Sequence, residues 1–169
     1  MNHAPTEGLV DKAVAIALDG TDRRILAELQ DNARLTTAEL GERVFLSQSP
    51  CWRRVRRLEE EAYIQAYRAV LDARKLGYGV TAFVSIMLES HAQALSRDFE
   101  ARIAEIPEVI ACHNVSGRYD FLLEVVARDL EGFGVFARDV LRALPGVKEI
   151  YSSFSLKEIK ATRALPIAR

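Results

Sequence analysis

The chain has 169 residues, a net charge of −1, 49% hydrophobic residues and 28% charged residues. These values are typical of a globular protein of one or two domains with enough apolar residues to bury real cores. They exclude a global basic field for nucleic acid, and the absence of an ~18-residue apolar run or a secretory signal pattern predicts a cytoplasmic protein with no membrane partner.

Residues 1–17 form a mixed segment without periodicity, and we expect a flexible tail. Asp19 and Asp22 then predict a helix start, because two acids at this spacing resemble a capping box and favour the positive end of a helix. A second helix is expected from Thr36 or Thr37. A tight turn at 45–47 should lead into a third helix, with Ser47 as its cap.

The third predicted helix contains four arginines within five positions. At 100° per residue, one face carries Cys51, Val55 and Leu58, as expected of a helix that packs on a core. The predicted outward face carries Ser49, Arg53, Arg56 and Arg57, with Trp52 and Arg54 on the flanks.

Arginines along an exposed helix suit the major groove of DNA, where a guanidinium can bind guanine bidentately or contact phosphate. The alternative is an ordinary solvated face, in which Glu59, Glu60 and Glu61 pair with Arg56 and Arg57. The short helix and turn before it favour DNA. Residues 18–70 contain nine arginines and nine acidic residues, so a DNA-binding surface there must be a local basic patch. The candidate DNA-binding residues are Thr37, Ser47, Gln48, Ser49, Trp52, Arg53, Arg54, Arg56 and Arg57.

The segment 62–70 is rich in strand-forming residues and predicts a strand that leaves the helical unit. The charged and glycine-containing segment 71–78 predicts a linker. The expected organisation is a tail at 1–17, a helix-turn-helix domain with a hinge strand at 18–70, the linker, and a second domain at 79–169.

The second half alternates predicted strands and helices. Strands are expected at 81–88, 109–116, 121–127 and 147–156, and helices at 91–106 and after Asp129, the latter with Leu130, Phe133, Phe136, Val140 and Leu144 inward. This βαββαβ order predicts a ferredoxin-like α+β domain, with both helices on one face of a four-stranded antiparallel sheet. Phe83, Met87, Val125 or Tyr151 could lie on the open face, which we interpret as an oligomer interface.

Candidate catalytic and metal-binding residues are few. Cys51 is expected to be a buried apolar residue, and Cys112 beside His113 is too isolated to build a zinc site. The sequence contains no nucleophile–base motif, metal-ligand motif or phosphate-binding glycine loop. We therefore predict no catalytic residues, no metal and no cofactor, although ferredoxin-like domains host many activities and an enzyme is the main rival class.

Several spaced stretches, in order, resemble the Lrp/AsnC (feast/famine) family of transcription regulators. They are Leu18-Asp19 with Asp22, Ile25-Leu26, Leu46-Ser47, Pro50 to Val55, Arg57-Leu58-Glu59, Pro107-Glu108-Val109, Gly117 with Tyr119-Asp120, and Leu144 to Val147. The resemblance spans about 18–167. It implies an N-terminal winged helix-turn-helix, a hinge strand, and a C-terminal ligand-binding domain that pairs into dimers and often octamers.

The resemblance also implies a small effector, usually an amino acid, near the turn at 117–120. The candidate effector-binding residues are Gly117, Arg118, Tyr119, Asp120, Ser152 and Ser153. Without a ligand, Gly117 and Asp120 are equally typical of a hairpin turn, and the two serines of the polar side of an edge strand. The expected function is sequence-specific double-stranded DNA binding that responds to the effector through oligomeric arrangement. The alternative is a nucleoid-associated oligomer that compacts DNA with little sequence preference.

Three residues depart from the family pattern. Phe45, in the turn before the arginine helix, and Ala62, after it, stand where glycine is common. If either position requires positive φ, the substitution costs roughly 1 kcal/mol. Arg118 stands where many members carry a small or acidic residue, which leaves the charge preference for the effector open.

Overall fold

A computed structural model describes residues 18–90, 92–160 and 164–167. The described residues divide into two compact units, one comprising 18–69 and 164–167 and the other comprising the described residues of 70–160. The predicted tail at 1–17 lies outside the described residues. In the described part of the chain no helix is long and apolar enough to cross a membrane.

The described residues of the first unit form three helices, α1 (Gly20–Asp31), α2 (Thr37–Val44) and α3 (Gln48–Glu60). Both predicted helix starts are confirmed. The side chain of Asp19 caps α1 in a capping box with Asp22, and Thr36 caps α2 in a second one with Glu39. Ser47 occupies the N-cap position of α3, but its side chain makes no capping hydrogen bond.

These helices bury a small core whose fully enclosed members are Ile25, Leu40, Val44, Cys51 and Leu58. Gly41 allows the close approach that the turn after α2 requires, because a Cβ there would lie 2.7 Å from the carbonyl oxygen of Leu46. The turn residue Phe45 has φ 59°, and Ala62 after α3 has φ 58°. Both positions that usually hold glycine therefore do require the left-handed conformation.

The predicted strand at 62–70 is absent from the described part of this single chain. A strand requires a hydrogen-bonded neighbour. The four strands among the described residues pair with each other in one sheet, and none of them pairs with 62–70. Strand-forming composition does not by itself provide that partner.

The second unit contains β1 (Val80–Leu88), α4 (Gln93–Ile103), β2 (Val109–Asn114), β3 (Phe121–Ala127), α5 (Leu130–Asp139) and β4 (Val147–Phe154), with a short 3-10 turn at Leu141–Ala143. The sheet order is β2-β3-β1-β4, and all three pairings are antiparallel. This confirms the predicted ferredoxin-like arrangement.

One face of this sheet packs under both helices. Val84 and Ile86 of β1 share a single core with Phe99 of α4 and Phe133 of α5. Alternate residues of β1, including Phe83 and Met87, therefore lie on the other face.

Two predictions about this core were wrong. Val125 is fully buried on the helix-covered face and not on the open one, because its partner in the register is the core residue Ala82. Leu130, the first residue of α5, is 61% exposed, whereas Leu141 in the 3-10 turn is buried. The change from α-helical to 3-10 geometry after 139 accounts for the inward position of Leu141, which a regular helical period does not predict.

Candidate DNA-binding surface and effector turn

The exposed side of α3 borders a concavity of about 640 Å³. Its lining residues, all among the predicted DNA-binding residues, are Thr37, Gln48, Ser49, Trp52 and Arg53. Thr37 begins α2, so this surface is built by the two helices of the helix-turn-helix together. Among the described residues, the Arg53 guanidinium has no hydrogen-bond or ion-pair partner. Arg53 is therefore a charged group available to a ligand of this surface.

Arg54 and Arg57 point in a different direction, toward α1. Arg54 Nη1 donates to Asp22 Oδ1 at 2.8 Å and to Asp19 Oδ2 at 2.7 Å, and Arg57 Nη2 donates to Asp22 Oδ2 at 2.5 Å. Asp22 is 1% exposed. The prediction that Arg57 lies on the outward face is wrong. We call the group formed by Asp19, Asp22, Arg54 and Arg57 the carboxylate clamp.

Helical geometry explains why the four arginines point in two directions. Residues three apart on a helix differ by only about 60° in direction. Arg53 and Arg56 therefore share one side, and Arg54 and Arg57 share the next. Asp22 lies in the first turn of α1, where its carboxylate forms part of the capping box. The same carboxylate accepts the hydrogen bonds of Arg54 and Arg57.

Arg56 is exposed and lies between two partners on α3. Its Nε donates to Glu60 at 3.0 Å, and its guanidinium lies 5.7 Å from the ring centroid of Trp52. Two of the ion pairs expected for a solvated face are therefore present. Arg56 pairs with Glu60, and Arg57 Nε lies 4.0 Å from Glu61 Oε2. The ion pair at i, i+4 is exposed and therefore weak.

The N-terminus of α3 offers a further polar feature. Ser47 makes no side-chain capping bond, and the first turn contains no acidic residue. The free N–H groups at a helix start carry a partial positive charge and bind phosphate well. Gln48 and Ser49, both exposed, flank this end.

In the second unit, the turn at 117–120 connects β2 to β3. Gly117 has φ 131°, so the turn requires glycine at this position, although a Cβ there would meet open space. Asp120 Oδ2 accepts the Leu88 N–H at 2.8 Å, which ties the turn to the end of β1. The roles of Gly117 and Asp120 in stabilising the turn are therefore explained by contacts within the chain.

The side chains of Arg118 and Tyr119 reach β4. Glu149 Oε1 accepts Arg118 Nη2 at 3.1 Å and the Tyr119 hydroxyl at 3.2 Å. The ring of Tyr119 stacks on Tyr151 with centroids 6.2 Å apart. Desolvation first, and then the bond to the Glu149 carboxylate, raise the pKa of Tyr119. The phenol therefore remains a donor.

The other predicted effector residues are less closely gathered. Ser152 pairs in the register with the core residue Val84, and Ser153 pairs with Phe83 on the open face, so the two serines lie on opposite faces. Ser153 shares the face of Glu149, but it is four positions away, or about 13 Å along a strand.

The cysteines and His113 form no candidate site. Burial raises the pKa of Cys51, and burial followed by the charge of Glu100 raises that of Cys112, so both thiols are held protonated. His113 is exposed on β2. The described residues contain no group of three potential metal ligands.

The sequence interpretation missed two residues. Asp22 was assigned only a capping role, although the angular positions of Arg54 and Arg57 indicate that both arginines face a neighbouring helix. Glu149 was not singled out at all. The alternation of β4 could place it on the face of Tyr151, but no sequence signal links it to a turn about 30 residues earlier.

A helix-turn-helix unit joined to a four-stranded antiparallel sheet domain defines a class of two-domain transcription regulators. Residues 18–65 match the family model of a winged helix-turn-helix DNA-binding domain, and residues 81–165 match that of the Lrp/AsnC ligand-binding domain. The chain belongs to the Lrp/AsnC family of DNA-binding transcription regulators, and its relatives are regulators and not enzymes.

Relatives of known role match over nearly their whole length. The Bkd operon transcriptional regulator of Pseudomonas aeruginosa is 41% identical over 150 residues, which cover 89% of this chain and 98% of that protein. The leucine-responsive regulatory protein of Rhizobium meliloti is 42% identical over 147 residues, covering 87% and 94%. A Neisseria meningitidis transcriptional regulator solved as its L-Met complex has a TM-score of 0.85 and 41% identity, covering 89% of this chain and 97% of that one.

Proposed function

We propose that this regulator binds double-stranded DNA sequence-specifically through the exposed side of α3. The observation that carries the proposal is the concavity bounded by Thr37, Gln48, Ser49, Trp52 and Arg53. It combines a guanidinium without a partner among the described residues, amide and hydroxyl groups that can read base edges, and the N-terminus of a helix that can hold phosphate. Arg56 lies beside this surface, while the clamp holds Arg54 and Arg57 toward α1.

The test is selection of binding sites from a random-sequence duplex pool, followed by titration of the selected site and of a scrambled one. We expect a preference of at least about 10³-fold for the selected site. Arg53→Gln should lose ~1–3 kcal/mol of affinity for the selected site and relax the preference at one base pair.

Arg24→Gln is the matched control, because Arg24 is an exposed arginine of α1 in the same unit. It removes one positive charge and should leave the preference intact. If the wild-type protein enriches no sequence and binds both duplexes alike, the alternative function, compaction of DNA with little sequence preference, replaces this proposal.

We also propose that an amino acid binds at the turn 117–120 and changes the DNA affinity of the protein. The proposal is supported by the positive-φ glycine, by the polar groups of Arg118 and Tyr119 beside it, and by the relatives described as leucine-responsive or solved with L-Met. A thermal-shift screen of the twenty amino acids tests it. Binding to the folded state must raise the midpoint in proportion to the logarithm of ligand concentration. Gly117→Val should abolish that rise.

The open face of the sheet is the proposed interface of a homodimer, which could assemble further into an octamer. Phe83 is 41% exposed and Tyr151 is 57% exposed on this face. Isolated apolar side chains are normal on a surface, but two aromatics on one open sheet face favour an interface. A two-fold dimer would present two α3 helices to a pseudo-palindromic site.

Sedimentation of the full-length protein tests the interface. Phe83→Glu should shift the dimer toward monomer, because it places a charge within an apolar contact. Leu130→Glu is the control, since Leu130 is also exposed but begins α5 on the helix-covered side. Equal effects of the two substitutions, or a wild-type monomer at micromolar concentration, would contradict the proposed face.

A further inference from the structure

The effector turn and strand β4 meet at one carboxylate, that of Glu149. Its Oε1 accepts a hydrogen bond from the Arg118 guanidinium at 3.1 Å and another from the Tyr119 hydroxyl at 3.2 Å. Building on the amino-acid effector proposed above, we propose that Glu149 is a specificity-determining residue. It admits amino acids with neutral apolar side chains and excludes those with acidic ones.

The argument begins with the charge of the site. Arg118 contributes one positive charge, and Glu149, which faces it, contributes one negative charge. Asp120 adds a second carboxylate, with one oxygen engaged by the Leu88 N–H. These three groups sum to one negative charge. A zwitterionic ligand brings no net charge, whereas an acidic amino acid brings a further negative charge into a site that is already negative.

The role of Glu149 is to occupy Arg118. A guanidinium binds a carboxylate strongly through its planar set of donors, so an unopposed Arg118 would favour an acidic side chain. The pair is exposed, with 69% of the Arg118 side chain and 39% of the Glu149 side chain accessible. Such pairs are weak in water. A ligand α-carboxylate can therefore share Arg118 while its α-ammonium approaches Glu149.

The aromatic groups beside the pair favour the same class of ligand. The Tyr119 ring stacks on Tyr151 and lies 5.2 Å from the Arg118 guanidinium. Stacked rings offer apolar surface to an aliphatic or thioether side chain. The Arg118–Glu149 pair and the ring pair lie together, so one amino acid can contact the first with its charged groups and the second with an apolar side chain.

Titration calorimetry with L-methionine and L-glutamate on the full-length protein tests this assignment. The wild-type protein should bind L-methionine, with L-glutamate much weaker. Glu149→Gln retains the side-chain shape and an acceptor for Tyr119, but removes the charge that opposes Arg118. It should raise the affinity for L-glutamate relative to L-methionine by about fivefold or more.

The double variant Arg118→Gln with Glu149→Gln should lose that gain, because the freed guanidinium is its source. Glu105→Gln, at an exposed glutamate after α4, makes the same change in total charge and should leave the ratio unchanged. A wild-type ratio retained in Glu149→Gln overturns the role of Glu149 while leaving the amino-acid effector in place. A wild-type protein that binds no amino acid overturns both, and a wild-type preference for L-glutamate overturns the selectivity alone.

Discussion

Two pairs of arginines lie on one helix and have opposite surroundings. Arg54 and Arg57 bond to Asp22, a carboxylate that is 1% exposed, whereas Arg53 and Arg56 lie on the exposed side. In sequence the four are nearly equivalent. Their difference shows that the number of basic residues in a helix overstates the charge available to DNA. Half of the guanidinium groups of α3 join that helix to α1, and Arg53 and Arg56 remain on the exposed side.

The strongest test of this division removes the buried carboxylate. Asp22→Ala removes the carboxylate that binds Arg57 and leaves Arg54 with Asp19 alone. Breaking a buried ion pair by removing one member costs about 3–5 kcal/mol. We expect the helix-turn-helix unit to unfold at much lower urea concentration, as measured by far-UV circular dichroism.

Glu42→Ala provides the control, because Glu42 is an exposed carboxylate on α2 in the same unit. An exposed substitution of this kind should change stability by no more than about 0.5 kcal/mol. If Asp22→Ala and Glu42→Ala have similar midpoints, the clamp contributes little, and Arg54 and Arg57 would have to be reconsidered as DNA contacts.

The second test separates the two kinds of arginine. Arg57→Gln removes a charge-assisted bond to Asp22 and should cost about 2 kcal/mol of folding free energy. Arg53→Gln removes no hydrogen bond or ion pair with any described residue and should leave stability unchanged while it weakens binding to the selected DNA site. The measurement is a pair of assays on each variant, urea denaturation and DNA titration across salt concentrations.

A phosphate contact should also reduce the salt slope by about one unit when it is removed. We expect this slope to be the same in Arg57→Gln as in the wild-type protein, provided that both are folded under the conditions of the titration. A reduced slope in Arg57→Gln, with full stability, would place this guanidinium on DNA after all.

The sequence predicted the order of the helices and of the four sheet strands, the capping box of α1, the start of α2 and the sheet topology, because these depend on periodicity and on local turn chemistry. It did not predict the carboxylate clamp or the Glu149 contact. Those depend on which helix lies beside which, and on how a turn meets a strand about 30 residues away. The prediction of a strand at 62–70 was wrong for a related reason, because strand-forming residues do not themselves supply a neighbouring strand.

The third test uses pH to examine the outer member of the clamp. The hydrogen bond from the Asp22 backbone, followed by the bond from Arg54, lowers the pKa of Asp19 from 3.8 to about 2. A lowered folded-state pKa stabilises the protein above pH ~4, and this contribution is lost as the pH falls through about 2. Because the side chain is half exposed, we expect a contribution of only about 1 kcal/mol.

Asp19→Asn isolates this contribution. The asparagine can still cap α1 but cannot titrate. Thermal midpoints measured from pH 6 to pH 2 should fall less steeply in Asp19→Asn than in the wild-type protein, with the difference concentrated below pH 4. Parallel curves over the whole range would show that the pKa of Asp19 is not lowered in the folded protein.

The smallest expected effect concerns the two left-handed residues that flank α3. Phe45 is 84% exposed, so its side chain gives little burial in return for a positive φ. Replacing Phe45 or Ala62 by glycine relieves about 1–2 kcal/mol of backbone strain, offset by the greater freedom of glycine in the unfolded chain. We expect each variant to gain about 0.5 kcal/mol of unfolding free energy in urea denaturation.

Ala27→Gly, within α1, is the control. It makes the same chemical change as Ala62→Gly at a helical φ and should lose about 1 kcal/mol of unfolding free energy. Opposite signs for Ala62→Gly and Ala27→Gly would establish that the turns around α3 are strained where the family usually has glycine. A loss of stability in all three would show that the flanking turns are held by contacts stronger than the strain.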